Sequence, residues 1–530
     1  MKIKSGTTVH SSLTFLFVLF LYSVNVSAQE VGINWSKEVD IEKKSASPEL
    51  LGLSDGKIFV LRSANPKDAA SYYVTVCDEG SLDEDDRIDF EKVLPKEVGH
   101  YDMFGTYLFK DRIVVITTSK NKELCATTIS LKGKIIKAKT VIDKVEGKDK
   151  TFDGYEIAIS PDKTKILGYR SQKGKIKKTV AYNFTVIDEN LKQVKEKKIE
   201  LPYEEENFEF RKVSLDDKGD VFAVAKIKIE GKRKKYDTHK AVLMSLPLSQ
   251  DKPELNEVVL PFEKRIASSM SFIMQPGKIL ITGMYASNKD ADFLDGIFYI
   301  ELNPQNFEVI KSSYEKFKPG LQTRKDGTSA KMDSKVGYEY VLKDIYINSN
   351  DEKFLTFEYN THMFVTSRTS TSKVVYRHDI IVAKLSSDNK ILWNTIINKN
   401  QVLSVPYTVT TGIGPIAITT SVYRFYRKFE TMLTYVILYK NDDIYFVFND
   451  HTKNMKTKNA DKPFNSLKKS YSALVKLDGS KGKWDKKPIF TTKESGRIIT
   501  PGNSVQISDS KILTFSYYKN KGSIGYLSIE

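Results

Sequence analysis

Five histidines lie beyond the first thirty residues, His100, His239, His362, His378 and His451, and none is spaced as a metal or nucleophile motif requires. There is no His-Glu-x-x-His, no Gly-x-Ser-x-Gly and no cysteine pair with zinc spacing. The acidic run Asp83-Glu84-Asp85-Asp86 could attract calcium, but it lacks the Asp-x-Asx-x-Asx-Gly loop with a downstream Glu and reads as a solvated acidic loop. Paired acids for glycoside cleavage would converge from distant segments, so their spacing along the chain is uninformative. Cys77 and Cys125 could form one bridge, although two buried thiols on strands is the simpler reading. No metal or cofactor is expected.

The residues suited to binding are cations interleaved with aromatics. Arg233, Lys234, Lys235 and Tyr236 form one basic hairpin, with Lys173, Lys175, Lys177 and Lys178 as a second basic run. Tyr423, Arg424, Tyr426 and Arg427 alternate rings with guanidinium groups, a composition that stacks on sugars or grips acidic groups. A solvated face would have the same composition. The net charge is +16, but residues 30–100 are acidic by about seven and 101–240 basic by about ten, a split that suits an anionic partner.

Lys2 and Lys4, the apolar run Leu13 to Tyr22 and the ending Val26-Ser27-Ala28 predict a signal peptide over 1–28, cleaved before Gln29. Ten apolar residues are half of what a bilayer crossing needs, so no transmembrane segment is expected after cleavage. Export to the periplasm, the cell surface or the medium makes nucleic acid an unsuitable partner.

What positions these residues is a repeated phrase, an apolar strand, a tight turn and a second apolar strand. It occurs around Asp55-Gly56, Asp111, Pro161-Asp162, Lys218-Gly219, Pro276-Gly277, Asp351, Asn441-Asp442 and Asp509-Ser510. Each copy continues into two more strands, giving a four-stranded meander a to d that can bury its faces only against copies of itself. The expectation is an all-β chain forming a single propeller over 29–530, with eight blades, or seven as the alternative. The last unit stops at Glu530 without a strand d, while Val31 to Val39 lacks a sheet. Residues 29–47 are therefore expected to close the ring by pairing with Ser523 to Ile529, hiding two free edges.

Ala158-Ile159-Ser160-Pro161-Asp162-Lys163-Thr164-Lys165-Ile166 resembles the Ser-Pro-Asp-Gly hairpin of TolB-type propellers, with Lys163 in the place of Gly. Asp379 to Leu385 followed by Lys390 to Trp393 resembles blades of quinoprotein-like propellers. Ser386 to Trp393 partly matches the Asp-box of sialidases, which implies a structural c-d hairpin and no hydrolysis. The Lys- and Tyr-rich chain and its Val-Ser-Ala-Gln ending are similar to exported envelope proteins of Bacteroidota, a likeness that implies no activity.

In such a meander the a-b and c-d turns share one end of the ring, and the b-c and d-a connections the other. The long segments 318–338, 360–373, 398–434 and 449–471 all fall on the second end, with both basic clusters. The sequence thus predicts a non-enzymatic binding or scaffold propeller of the cell envelope. Its partner would be an envelope protein or an anionic or carbohydrate ligand. A polysaccharide-active or quinoprotein-like enzyme is the alternative.

Overall fold

The computed structural model describes residues 31–41, 48–65, 68–94, 102–119, 122–145, 154–173, 179–228, 239–287, 293–321, 323–324, 332–333, 336–337, 339–366, 371–407 and 430–530. They form eight antiparallel sheets, blades 1 to 8, over residues 49–89, 102–144, 156–204, 208–259, 266–316, 340–407, 436–491 and 499–529. Within each of blades 1 to 7 the strands pair in chain order, a-b-c-d. Every one of the eight turn phrases falls at an a-b turn. Several force the backbone left-handed: Asp55 and Gly56 have φ of 50° and 69°, and Asn441 and Asp442 of 51° and 65°. Paired positive φ is the primed turn that matches strand twist.

Strands b and c carry unbroken apolar runs, such as Ile58 to Leu61, Ile113 to Ile116 and Val221 to Ala225, because both faces of a blade are covered by neighbouring blades. Strand d is outermost and polar: in blade 1 it is Glu84–Asp89, exposed at four successive residues. The acidic residues Glu84 to Asp86 therefore lie on a strand rather than in a loop, with Asp85 bonded to Lys57 at 2.8 Å. The apolar side chains sort into eight clusters, one at each blade-to-blade interface around the ring. Cys77 and Cys125 are buried free thiols on the c strands of blades 1 and 2.

Blade 8 has three strands of its own, and its fourth comes from the other end of the chain. Val31–Trp35 pairs with Lys521–Ile529 from Val31↔Ile529 to Trp35↔Gly525, and Val39 and Asp40 pair with Gly522 and Lys521. Between them Ser36 exchanges backbone and side-chain bonds with Ile524 at 2.8 and 3.0 Å. Asn503 then joins blade 8 to blade 1, accepting from Leu50 N at 2.9 Å and donating to Pro48 O. Residues 1–30 lie outside the described part, and with them the expected signal peptide.

Candidate functional site

The two ends of the ring are unequal. On the a-b and c-d end the connections are mostly short, the longest being 247–255 of blade 4, and the Asp-box-like segment is such a short turn, with Asn389 at φ 64°. Lys163 does accept the left-handed conformation, at φ 56°, that its TolB-type counterpart gives to Gly. The b-c and d-a end carries the large features, though not all as loops. Segments 360–366, 371–378 and 398–407 are strand, because strands b, c and d of blade 6 (Lys353–Thr366, Thr371–Leu385 and Ile391–Tyr407) run on past the blade. Strand a stops accompanying them at Tyr340↔Tyr359, leaving a three-stranded ribbon. Neither 360–366 nor 398–407 alternates apolar with polar side chains, so their pattern gives no sign of a strand and their length mimics a loop. Segment 318–338 holds a two-stranded antiparallel pair, Thr323–Arg324 with Met332–Asp333, and 449–471 holds two single helical turns.

Buried charges fasten these features to the ring. At the base of the ribbon Glu358 and Lys399, both fully buried, meet at 2.7 Å. Lys399 Nζ also donates to Gln401 Oε1 at 3.0 Å and to Arg377 O at 3.3 Å, so its three donors are spent. Glu358 Oε2 accepts from Thr434 Oγ1 at 2.9 Å and faces Lys343 at 3.4 Å. Burial would raise the Glu358 carboxyl, but Lys399 and Lys343 hold it below the usual range. Burial pushes the Lys399 ammonium down to about 8 against the pull of Glu358. Gln401 Nε2 carries the network into blade 7 through Asn449 O at 2.8 Å.

A second network anchors the b-c loop of blade 7. Asp450 accepts from Lys486 Nζ at 3.0 Å, Tyr471 OH at 3.2 Å, and His451 N and Asn454 Nδ2 at 2.7 Å. Asn454 in turn donates to Lys462 O at 2.7 Å and accepts from Lys462 N at 3.1 Å, bridging the loop. His451 accepts from Lys453 N through Nδ1 and caps a helical turn. His378 lies within the c strand of blade 6, between the rings of Tyr359 and Tyr376. Among the described residues no group of three or more metal-ligating side chains converges. Carboxylates that accept from several donors in this way hold neighbouring strands and loops together.

Blade 4 holds a buried lysine of another sort. Lys226, on strand b (Val221–Lys228), is 6% exposed and stands across the ladder from Glu209, whose carboxylate is bound by Arg211 Nη2 at 2.9 Å.

Of the residues singled out from sequence, Arg233, Lys234, Lys235 and Tyr236 belong to the b-c connection of blade 4, and Tyr423, Arg424, Tyr426 and Arg427 to the d-a connection between blades 6 and 7. All eight lie outside the described residues, as do Lys175, Lys177 and Lys178. Glu358, Lys399, Asp450, Lys486 and Lys226 were not singled out. For Lys226 the signal was present, a charge at the end of the apolar run Val221-Phe222-Ala223-Val224-Ala225 of an inner strand, whereas Lys399 and Lys486 lie in polar stretches that give none.

No protein-family profile matches the chain, and no curated protein does. Solved structures do align. The WD40 domain of SCAP from fission yeast aligns at TM-score 0.39 and 8% identity over 96% of each chain. Prolyl oligopeptidase B from Galerina marginata aligns at 0.38 and 9%, over 89% of this chain and 54% of its own. The β-propeller domain of the Trilobed protease from Pyrococcus furiosus aligns at 0.33 and 13%, over 81% and 94%. Sequence identity to all three is low.

Proposed function

We propose that this chain is an exported binding or scaffold propeller of the cell envelope, which takes an anionic or carbohydrate ligand, or an envelope protein, on its b-c and d-a end. The observation that carries the reading is the asymmetry of the ring. One end keeps mostly short turns, while the other bears the blade 6 ribbon, the 452–469 loop and the connections that contain Arg233 to Tyr236 and Tyr423 to Arg427. Rigid sheets presenting long connections at one end are the usual basis of a recognition surface. The buried Glu358–Lys399 and Asp450–Lys486 pairs support it, since they hold the ribbon and loop in fixed places. No helix among the described residues is long and apolar enough to cross a membrane.

The test is capture from native envelope fractions by the mature chain, compared with a variant carrying Arg233→Ala, Lys234→Ala and Lys235→Ala. The expected outcome is weaker capture by the variant and a flatter salt dependence, because exposed charges are screened beyond about 8 Å at physiological salt. Folding should change little, by within about 0.5 kcal/mol. Capture indifferent to both the substitutions and the salt would refute the reading. Intact mass of the exported protein, expected to begin at Gln29, tests export separately.

A further inference from the structure

Four other lysines buried in this fold each have a carboxylate close by. Lys399 has Glu358 at 2.7 Å, Lys384 has Glu352 at 2.8 Å, Lys353 has Asp351 at 2.9 Å and Lys486 has Asp450 at 3.0 Å. Lys226 departs from that rule. Its cross-strand neighbour Glu209 is held by Arg211 Nη2 at 2.9 Å, and among the described residues no carboxylate pairs with Lys226 itself. The position opposite on strand c is Ala241. Lys226 shares the sheet face of Phe222 and Val224, both in the apolar cluster between blades 4 and 5, so apolar side chains lie beside it on that face. Burial first, and Arg211 second, push its ammonium down to about 7 against the weaker pull of Glu209. A buried ammonium that lacks a partner is costly, and an added anion removes the cost.

We infer that Lys226 and Arg211, on the inner strands of blade 4 at the b-c and d-a end, form a binding site for one small oxyanion, a carboxylate or phosphate group. Lys226 supplies a desolvated charge and Arg211, one-third exposed at its side chain, supplies the forked donor at the entrance. The inference deepens the proposed function by naming the group recognised, and it rests on that reading for the biological source of the anion. A phosphate ester and an acidic sugar present the same chemistry.

Calorimetric titration of the mature chain with inorganic phosphate and, separately, with glucuronate distinguishes the two sources. Saturable binding of one of them is expected, weakened roughly tenfold or more in Lys226→Met, which is of similar length and suits the apolar surroundings. Lys226→Arg, which keeps the charge, should retain binding within a few-fold, and Arg211→Gln should weaken it. Affinity should fall as pH rises from about 6 to about 9, since the anion requires the protonated amine. Affinity equal in the wild type and Lys226→Met, or no saturable binding of either probe, overturns the inference. If the Arg233, Lys234 and Lys235 variant loses binding while Lys226→Met does not, the inferred site falls and the end-of-ring reading stands. The converse result leaves the site standing and removes the loop from it.

Discussion

Glu358 and Lys226 show how differently two buried charges behave at the level of single residues. Glu358 is enclosed by Lys399, Lys343 and Thr434, so Glu358→Gln leaves Lys399 buried and uncompensated. That variant should lose about 3–5 kcal/mol, read as a lower urea midpoint, and adding Lys399→Met should recover most of it. The carboxyl is held below its unfolded value, so its contribution is full above the ordinary carboxylate range and is lost as pH falls through the depressed folded value. Lys226 runs the other way, its folded value of about 7 lying below the unfolded value of 10.5. Between those limits the unfolded chain binds more protons, and stability rises with pH. Lys226→Met should therefore be the more stable protein at neutral pH in buffer free of phosphate and carboxylate. The advantage, up to a few kcal/mol, should shrink as unfolding is measured toward about pH 10.

The closing strand is the decisive element. Its legibility came from bookkeeping of strands: a final unit without a d strand and a first strand without a sheet. The pairing from Val31↔Ile529 to Trp35↔Gly525 bears that out. Gly525 permits it, because a Cβ there would drive into the Trp35 ring and the Asn34 carbonyl. Gly525→Val should cost about 1–3 kcal/mol, visible as a lower melting temperature, whereas the same change at Gly56, with open space around it but left-handed backbone, tests turn strain alone. The ribbon of blade 6 was harder to read. Strand b continues beyond Tyr340↔Tyr359, where strand a stops, with a bulge in the b-c ladder between Glu358 and Asn360, and chain length between turns resembles an insertion.

For the whole molecule, eight apolar clusters close on themselves, so each blade is supported on both sides only while the ring is shut. Deleting 31–40 removes strand d of blade 8 and exposes the edge of Lys521–Ile529. The transition in calorimetric melting should then broaden or split, since unfolding can start from blade 8 and spread; a single unchanged transition would count against closure as the source of cooperativity. Oligomers formed through the open edge are the second expected sign.

The sequence by itself determined the architecture, because turn chemistry at Asp55-Gly56, Asn441-Asp442 and their counterparts is local and because a small meander has no way to bury two faces except by stacking. It also determined which end of the ring is elaborated, since strand order assigns every connection to one end or the other. Only the tertiary structure decided which charges are buried and with whom. Glu358 and Lys399 are 41 residues apart and Asp450 and Lys486 are 36 apart, while Glu209, across the ladder from Lys226, is paired with Arg211. Such pairings depend on register and on the angle at which one blade meets the next. Neither quantity is written in the spacing of residues along a single strand.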